Sequence, residues 1–416
     1  MHEVKKRLNY KWVIVALCFA MVFTCLGFCS GTKSLYLAAI TEALDIKRTL
    51  FSLNDSIRFI TTAIVNLFFG TLIEKMGAKK MIGFGFAALI ISMLINAYAK
   101  YVVQFYIGAF FLGMGLSWTT TTMIGYVVNQ WCKEHRGTIM GFVLAANGIA
   151  GAVVTQIISP IIYNENNVFG YRNAYKLTAL ILLVVGTLVV LFFRNEPKGE
   201  KNSEAYVKQK KPKNVSWSGL TLEETLRTPY FYAVAACVFL TGAILQGISG
   251  TSAAHMKDVG LDPSYVAMVM STHSLALAVF KFSTGVLHDR IGLRKTMLMC
   301  YSAAVVALVL LGSLNASTKI MAMIYGVLSS LAMPLETVML PLITADLFGE
   351  KAYSKLLGII VSINTAGYAL GAPIFNLVYD ACGTYQPILY VVAVVMLVIT
   401  FTLCAPSPMW KKREAK

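Results

Sequence analysis

The chain has 416 residues, 57% of them hydrophobic and 13% charged, with a mean hydropathy of +0.67. That is too apolar for a water-soluble protein, and runs of about 20 apolar residues, each able to cross a hydrocarbon core of about 30 Å, recur throughout. A net charge of +16 would suit a nucleic-acid partner, so its placement decides between that class and a membrane protein.

In chain order, the apolar runs predict twelve spanning helices, at 12–37, 52–73, 79–98, 102–128, 137–160, 171–193, 230–255, 265–288, 293–314, 319–347, 355–379 and 384–405. The first is too long for a secretory leader and lacks a small-residue cleavage pattern, so it is read as a retained span. With the N-terminus inside, 26 of the 36 Lys and Arg fall in inner segments and 7 in outer ones. Three lie within spans: Lys33, Arg58 and Lys281. This positive-inside bias predicts a multi-pass protein of the plasma or inner membrane with both termini cytoplasmic. Topology therefore accounts for the charge, and the expected surround is a lipid bilayer, not nucleic acid. The eight cysteines are scattered singly, without CxxC or Cys/His ligand spacing, so neither a disulfide framework nor a metal site is expected.

The one long polar stretch, 194–229, predicts a cytoplasmic linker between a six-helix bundle at 1–193 and a second at 230–416. Within it, "LTLEETLRTP" is expected to form a short surface helix. Two further segments match each other at a constant offset of 215: "GTLIEKMGAKK" (70–80) and "GVLHDRIGLRK" (285–295). Gly70 pairs with Gly285, Glu74 with Asp289, Lys75 with Arg290, Gly77 with Gly292 and Lys80 with Lys295. Each copy follows the second span of its half, as a duplicated six-span unit requires. A glycine there lets helices approach closely, and the acid–base pair is placed to lock the inner ends together.

The repeated loop resembles the G-x-x-x-D-R-x-G-x-[RK]-[RK] signature of the major facilitator superfamily, with Glu74 and Lys75 departing from it in the first copy. That resemblance implies an all-α integral membrane fold of twelve helices in two pseudo-symmetric six-helix bundles. "WCKEHRGTIMGFVLAANGIAG" (131–151), "LETVMLPLITADLFGEKAYSKLLGI" (335–359) and "LGAPIFNLVYDACGTY" (370–385) look like the fifth, tenth and eleventh spans of monocarboxylate-transporter-like proteins. That group includes proton-coupled lactate and pyruvate carriers and relatives of oxalate:formate antiporters. The resemblance implies a monomeric secondary carrier of small carboxylates, by anion exchange or proton symport, with no cofactor. It also places Lys281 where the group has a substrate-binding arginine, and Lys33 where many members carry a lysine.

The buried charges fit that expectation. Lys281 lies eight residues inside Asp289, about 12 Å along a helix, too far to reach inner water easily. An intramembrane cation is costly and needs a partner, which is either a substrate carboxylate or Glu336, the one acid well inside a span. Arg58 and His273 are related by the 215 offset, 16 residues ahead of Glu74 and Asp289, so repeat symmetry sets them at matching depth. Arg58 can hold a carboxylate bidentately, or pair with Asp55 or a headgroup. His273 is either a functional group or an ordinary helix-bonded histidine. Lys33 can snorkel or serve the site. Glu336 should be paired with Lys281 or Lys33, or be protonated. Tyr36, Asn147, Asn364 and Tyr368 are candidate site residues, although such polar groups also serve helix-to-helix hydrogen bonds.

One departure bears on coupling. The group's proton-coupled members have an aspartate one turn before the eighth-span arginine, and Leu277 stands there instead. His273, one turn further, is the candidate substitute. A polyspecific efflux pump is the alternative on the same fold, but three buried cations against one buried acid do not suit cationic drugs. The short tails are expected to hold no signalling domain. An enzyme is not expected: no nucleophile–base arrangement or Walker-type loop is present.

Overall fold

The computed structural model describes residues 2–46, 48–132, 134–162, 169–195 and 221–404, and their regular structure is helical. Hydrocarbon offers the backbone no hydrogen-bond partners, so each crossing segment must satisfy its own amides. Eleven helices are long and apolar enough to cross, and the bent pair Leu53–Leu67 and Phe69–Met76 makes a twelfth span among the described residues. Most of the expected linker and the last residues of the chain fall outside that set, but Leu222–Leu226 forms the short helix expected there. Thr221 and Glu224 close its capping box: each side chain bonds the other's backbone N–H.

The third span packs on the fourth and sixth, and the ninth on the tenth and twelfth. Between the first six spans and the last six, the principal contacts are the fifth on the eighth and the second on the eleventh. These two pairings are equivalent under the repeat, because the second span corresponds to the eighth and the fifth to the eleventh. Glycines allow both. A Cβ at Gly70 would lie 2.5 Å from the Lys355 Cα. Gly137 and Gly285 touch backbone to backbone, a Cβ at Gly141 would lie 2.5 Å from the Lys281 carbonyl oxygen, and one at Gly148 2.7 Å from the Ala278 Cβ. Thus a row of glycines on the fifth span seats the eighth.

Four expected spans are interrupted. The first (Tyr10–Gly31) ends in a π-helical turn, Gly27–Gly31, and Lys33 starts a separate helix, Lys33–Ala43, instead of lying late in the span. The second bends by 58° at Phe68, two residues before Gly70 meets the eleventh span. The fourth breaks at Thr120, where Thr119 and Thr120 turn their hydroxyls back onto the carbonyls of Gly115 (2.8 Å) and Leu116 (2.6 Å). Such back-bonding competes with the helical ladder and bends it. The tenth runs as Lys319–Ala332, Pro334–Thr337 and Met339–Phe348, with Pro334 unable to donate a ladder bond. Glu336 sits on the middle piece.

The repeated loops adopt one conformation. Gly77 has φ +75° and ψ 158°, and Gly292 has φ +82° and ψ 169°, each ending one helix and starting the next. Only glycine occupies that region without strain. Gly292 has open space around it, so Gly292→Ala adds no clash and isolates the backbone cost of about 1–3 kcal/mol. A lowered Tm of the purified variant in detergent is the expected result.

Candidate functional site

Lys281 is 3% exposed, its backbone seated against Gly141 of the fifth span. The broken tenth span turns Glu336 inward, 8% exposed, and the two side chains act on each other electrostatically without closing to ion-pair contact. The Tyr368 hydroxyl, from the eleventh span, faces the Glu336 carboxylate, whose Oε1 has no hydrogen-bond partner among the described residues. His273 lies within electrostatic reach of Lys281 and is held by the tenth span, with Nδ1 2.9 Å from Ser329 Oγ and 3.1 Å from the Gly326 carbonyl. The structure therefore brings buried Lys281 and Glu336 together with half-buried Tyr368, and sets half-buried His273 within electrostatic reach. The side chain of Lys33 lies outside the described set.

Arg58 belongs to a second cluster, within the first six spans. It is 8% exposed; Nη2 lies 3.5 Å from Asp55, Nη1 donates to Ser30 Oγ at 3.0 Å, and the guanidinium stacks 4.3 Å over the Phe59 ring. Arg58 and Asp55 line a cleft of about 490 Å³, open solvent at its mouth included, with Tyr36, Asn54, Asn96 and Tyr175. Tyr36 stacks on Tyr175 with ring centroids 4.1 Å apart. The Asp55 alternative for Arg58 is the geometry observed, because an i, i+3 spacing puts both side chains on one helix face. Phe59 connects the clusters: its ring meets Tyr368 edge-on at 5.5 Å, an aromatic contact between the two sets of spans.

Two other candidates lie elsewhere. Asn364 donates to the Val238 carbonyl at 3.1 Å and ties the eleventh span to the seventh. Asn147 is half-buried on the fifth span, beside Gly148.

At the loop end it is the acid of each acid–base pair that reaches a partner. Lys75 and Arg290 are exposed, and each acid reaches across to the other set of spans. Glu74 pairs with Lys355 at 3.1 Å. Asp289 accepts from the amides of Gly137 (2.9 Å) and Thr138 (2.7 Å) and from the Thr138 hydroxyl (2.6 Å), capping the fifth span. Arg136 pairs with Glu350 beside this clasp. Sequence reasoning missed Arg136, Glu350, Lys355, Asn96 and Tyr175.

Comparison with known proteins agrees with this architecture. Residues 12–255 and 234–416 each match the family model described as Major Facilitator Superfamily. The chain is 22% identical to the sialic acid transporter NanX of Escherichia coli over 61% of its length, spanning about three fifths (59%) of that relative. It is 23% identical to monocarboxylate transporter 13 of Rattus norvegicus over 76% of its length and 70% of the relative's. It is also 23% identical to multidrug resistance protein MdtG of Enterobacter lignolyticus, over 82% and 78%. Among solved structures, FucP in the outward conformation superposes with a TM-score of 0.73 at 15% identity, covering 95% of this chain and 98% of that one. The proton:xylose symporter XylE gives 0.76 at 13% identity, covering 97% and 96%. The chain belongs to the Major Facilitator Superfamily and has its twelve-helix fold.

Proposed function

We propose that the protein is a secondary active transporter of small organic anions, mono- or dicarboxylates, working by alternating access. Residues 1–193 and 230–416 are the two units that rock, joined by 194–229, in a plasma or inner membrane with both termini cytoplasmic. The observation that carries this reading is Lys281, a cation 97% removed from solvent beside a broken helix. A carboxylate from solution and the Glu336 carboxylate would compete for it. Binding is then favourable when Glu336 turns to Tyr368 or is protonated. Arg58 supports the reading through the neighbouring cleft, where Asp55 already meets part of its charge.

Relatives point in more than one direction. The names of NanX and monocarboxylate transporter 13 describe organic acids, whereas MdtG is named for drug resistance. An efflux pump for amphipathic solutes is therefore the second reading. A thermal-shift screen of the purified protein against mono- and dicarboxylates, sugars and cationic amphiphiles separates the two. Saturating carboxylate at about 100 times its Kd should add about 2.7 kcal/mol of stability. Silence with every anion and a response to cations would overturn the proposal.

Lys281→Ala should abolish anion uptake while the protein still folds. Breaking a buried charge pair costs about 3–5 kcal/mol, on the order of a hundred- to several-thousand-fold in affinity. Lys281→Arg should retain part of the activity, since it keeps the charge. Isotope uptake by the two variants in proteoliposomes checks this, and normal uptake by Lys281→Ala would remove the central residue from the proposal.

Coupling is assigned to anion exchange, with a symport dependent on His273 as the other version. Leu277 leaves the eighth span without the aspartate of the group it resembles, and exchange needs no proton carrier. Uptake should be strongly stimulated by preloading vesicles with the same anion, and little affected by a shift of the external pH alone from about 7.5 to about 5.5, across the ordinary imidazole range. Uptake into empty vesicles that follows a proton gradient and survives His273→Ala would eliminate both versions and leave Glu336 as the carrier.

A further inference from the structure

The loop end holds a titratable group that the proposed transport does not use. His288 sits in the second repeat, one residue before Asp289, with both ring nitrogens facing carboxylates. Nδ1 is 3.3 Å from Asp289 Oδ1, and Nε2 is 3.1 Å from Asp346 Oδ2 on the tenth span. Its side chain is 11% exposed. Among the described residues, the other charged groups near it are turned elsewhere or exposed. The fifth span presents the Gly137 and Thr138 amides, already bonded to Asp289, and Arg136, which is turned to Glu350. Arg290, next along the same helix, is exposed.

A neutral imidazole has one N–H and one lone pair, so between two acceptors it can satisfy only one. The other carboxylate then faces a lone pair. An imidazolium donates from both nitrogens and satisfies both, with charge-assisted bonds. Asp289 is also the acid that clasps the fifth span across the interface.

We propose that His288 is a proton-binding latch: its imidazolium ties the eighth span to the tenth and fixes Asp289 on the fifth, so that acid on this side holds the end closed. Loss of the proton leaves one of the two carboxylates opposed by a lone pair and loosens the clasp. This is a second titratable site, remote from Lys281 and independent of what is carried.

The test reads the end itself, without substrate. Spin labels are placed by Lys80→Cys and Lys295→Cys, exposed and equivalent positions of the two loops, with Cys382→Ser removing the exposed native thiol. The full chain is reconstituted, and label separation is measured at about pH 5.5 and about pH 9, because two facing carboxylates keep the imidazolium charged beyond the ordinary imidazole range of about 6.5. The longer-separation fraction should grow by about tenfold at the higher pH, the shift expected for losing one charge-assisted hydrogen bond. His288→Gln, which cannot carry charge, should show the larger fraction at both pH values. His288→Arg, permanently charged, should stay closed at both. A pH response that persists in His288→Gln, none in the parent, or opening of His288→Arg like that of His288→Gln would each overturn the proposal.

Discussion

The close approach of the fifth and eighth spans is the contact on which the closed end and the buried lysine both depend. Without side chains at Gly137 and Gly141, the eighth helix can bring the Gly285 and Lys281 backbones against its neighbour. The consequences are chemical as well as steric. Asp289 comes within reach of the unbonded amides at the fifth span's N-terminus, where the helix dipole favours negative charge. Lys281, one face away, is shut off from water on that side. A larger residue at either glycine would separate the helices and loosen both arrangements.

Buried charge is handled differently in the two sets of spans. In the first, Arg58 is neutralised locally by Asp55 and by the face of Phe59. In the second, Lys281 and Glu336 sit near each other without joining, and Glu336 keeps an oxygen without a protein hydrogen bond. Desolvated charges that fall short of contact are unfavourable unless something else completes them. That difference makes the second cluster the more responsive of the two.

Much of the fold was legible in the sequence, because hydropathy windows register what the bilayer demands of a helix. The twelve spans and the duplicated loop follow from windows and a constant offset, and the matching conformations of Gly77 and Gly292 give that offset a structural form. The interruptions were not legible. At Thr120 and Pro334 the surrounding window is still apolar on average, and the break arises from hydroxyls and a missing amide that no such average registers. Nor could local pattern show that Glu74 and Asp289 reach across rather than to Lys75 and Arg290. That choice is made by which residues the packing brings opposite. In the candidate site, the juxtaposition of Lys281 with Glu336 was within reach of charge arithmetic. The division between the Arg58 cleft and the Lys281 cluster was not, since repeat symmetry sets depth and says nothing of which face a side chain takes.

The two clasps at the loop end are equivalent by symmetry but unequal in strength. Glu74 and Lys355 are 51% and 41% exposed, and a solvated pair of that kind contributes about 0–1 kcal/mol. Asp289 is 14% exposed and holds three bonds of 2.9 Å or less, each to a charged acceptor and each stabilising by about 1.5–3 kcal/mol. While His288 keeps its proton, parting of the two sets of spans here therefore begins along the second and eleventh and turns about the fifth and eighth. The end opens like a book with a stiff spine, and the first water to enter does so on the Glu74 side.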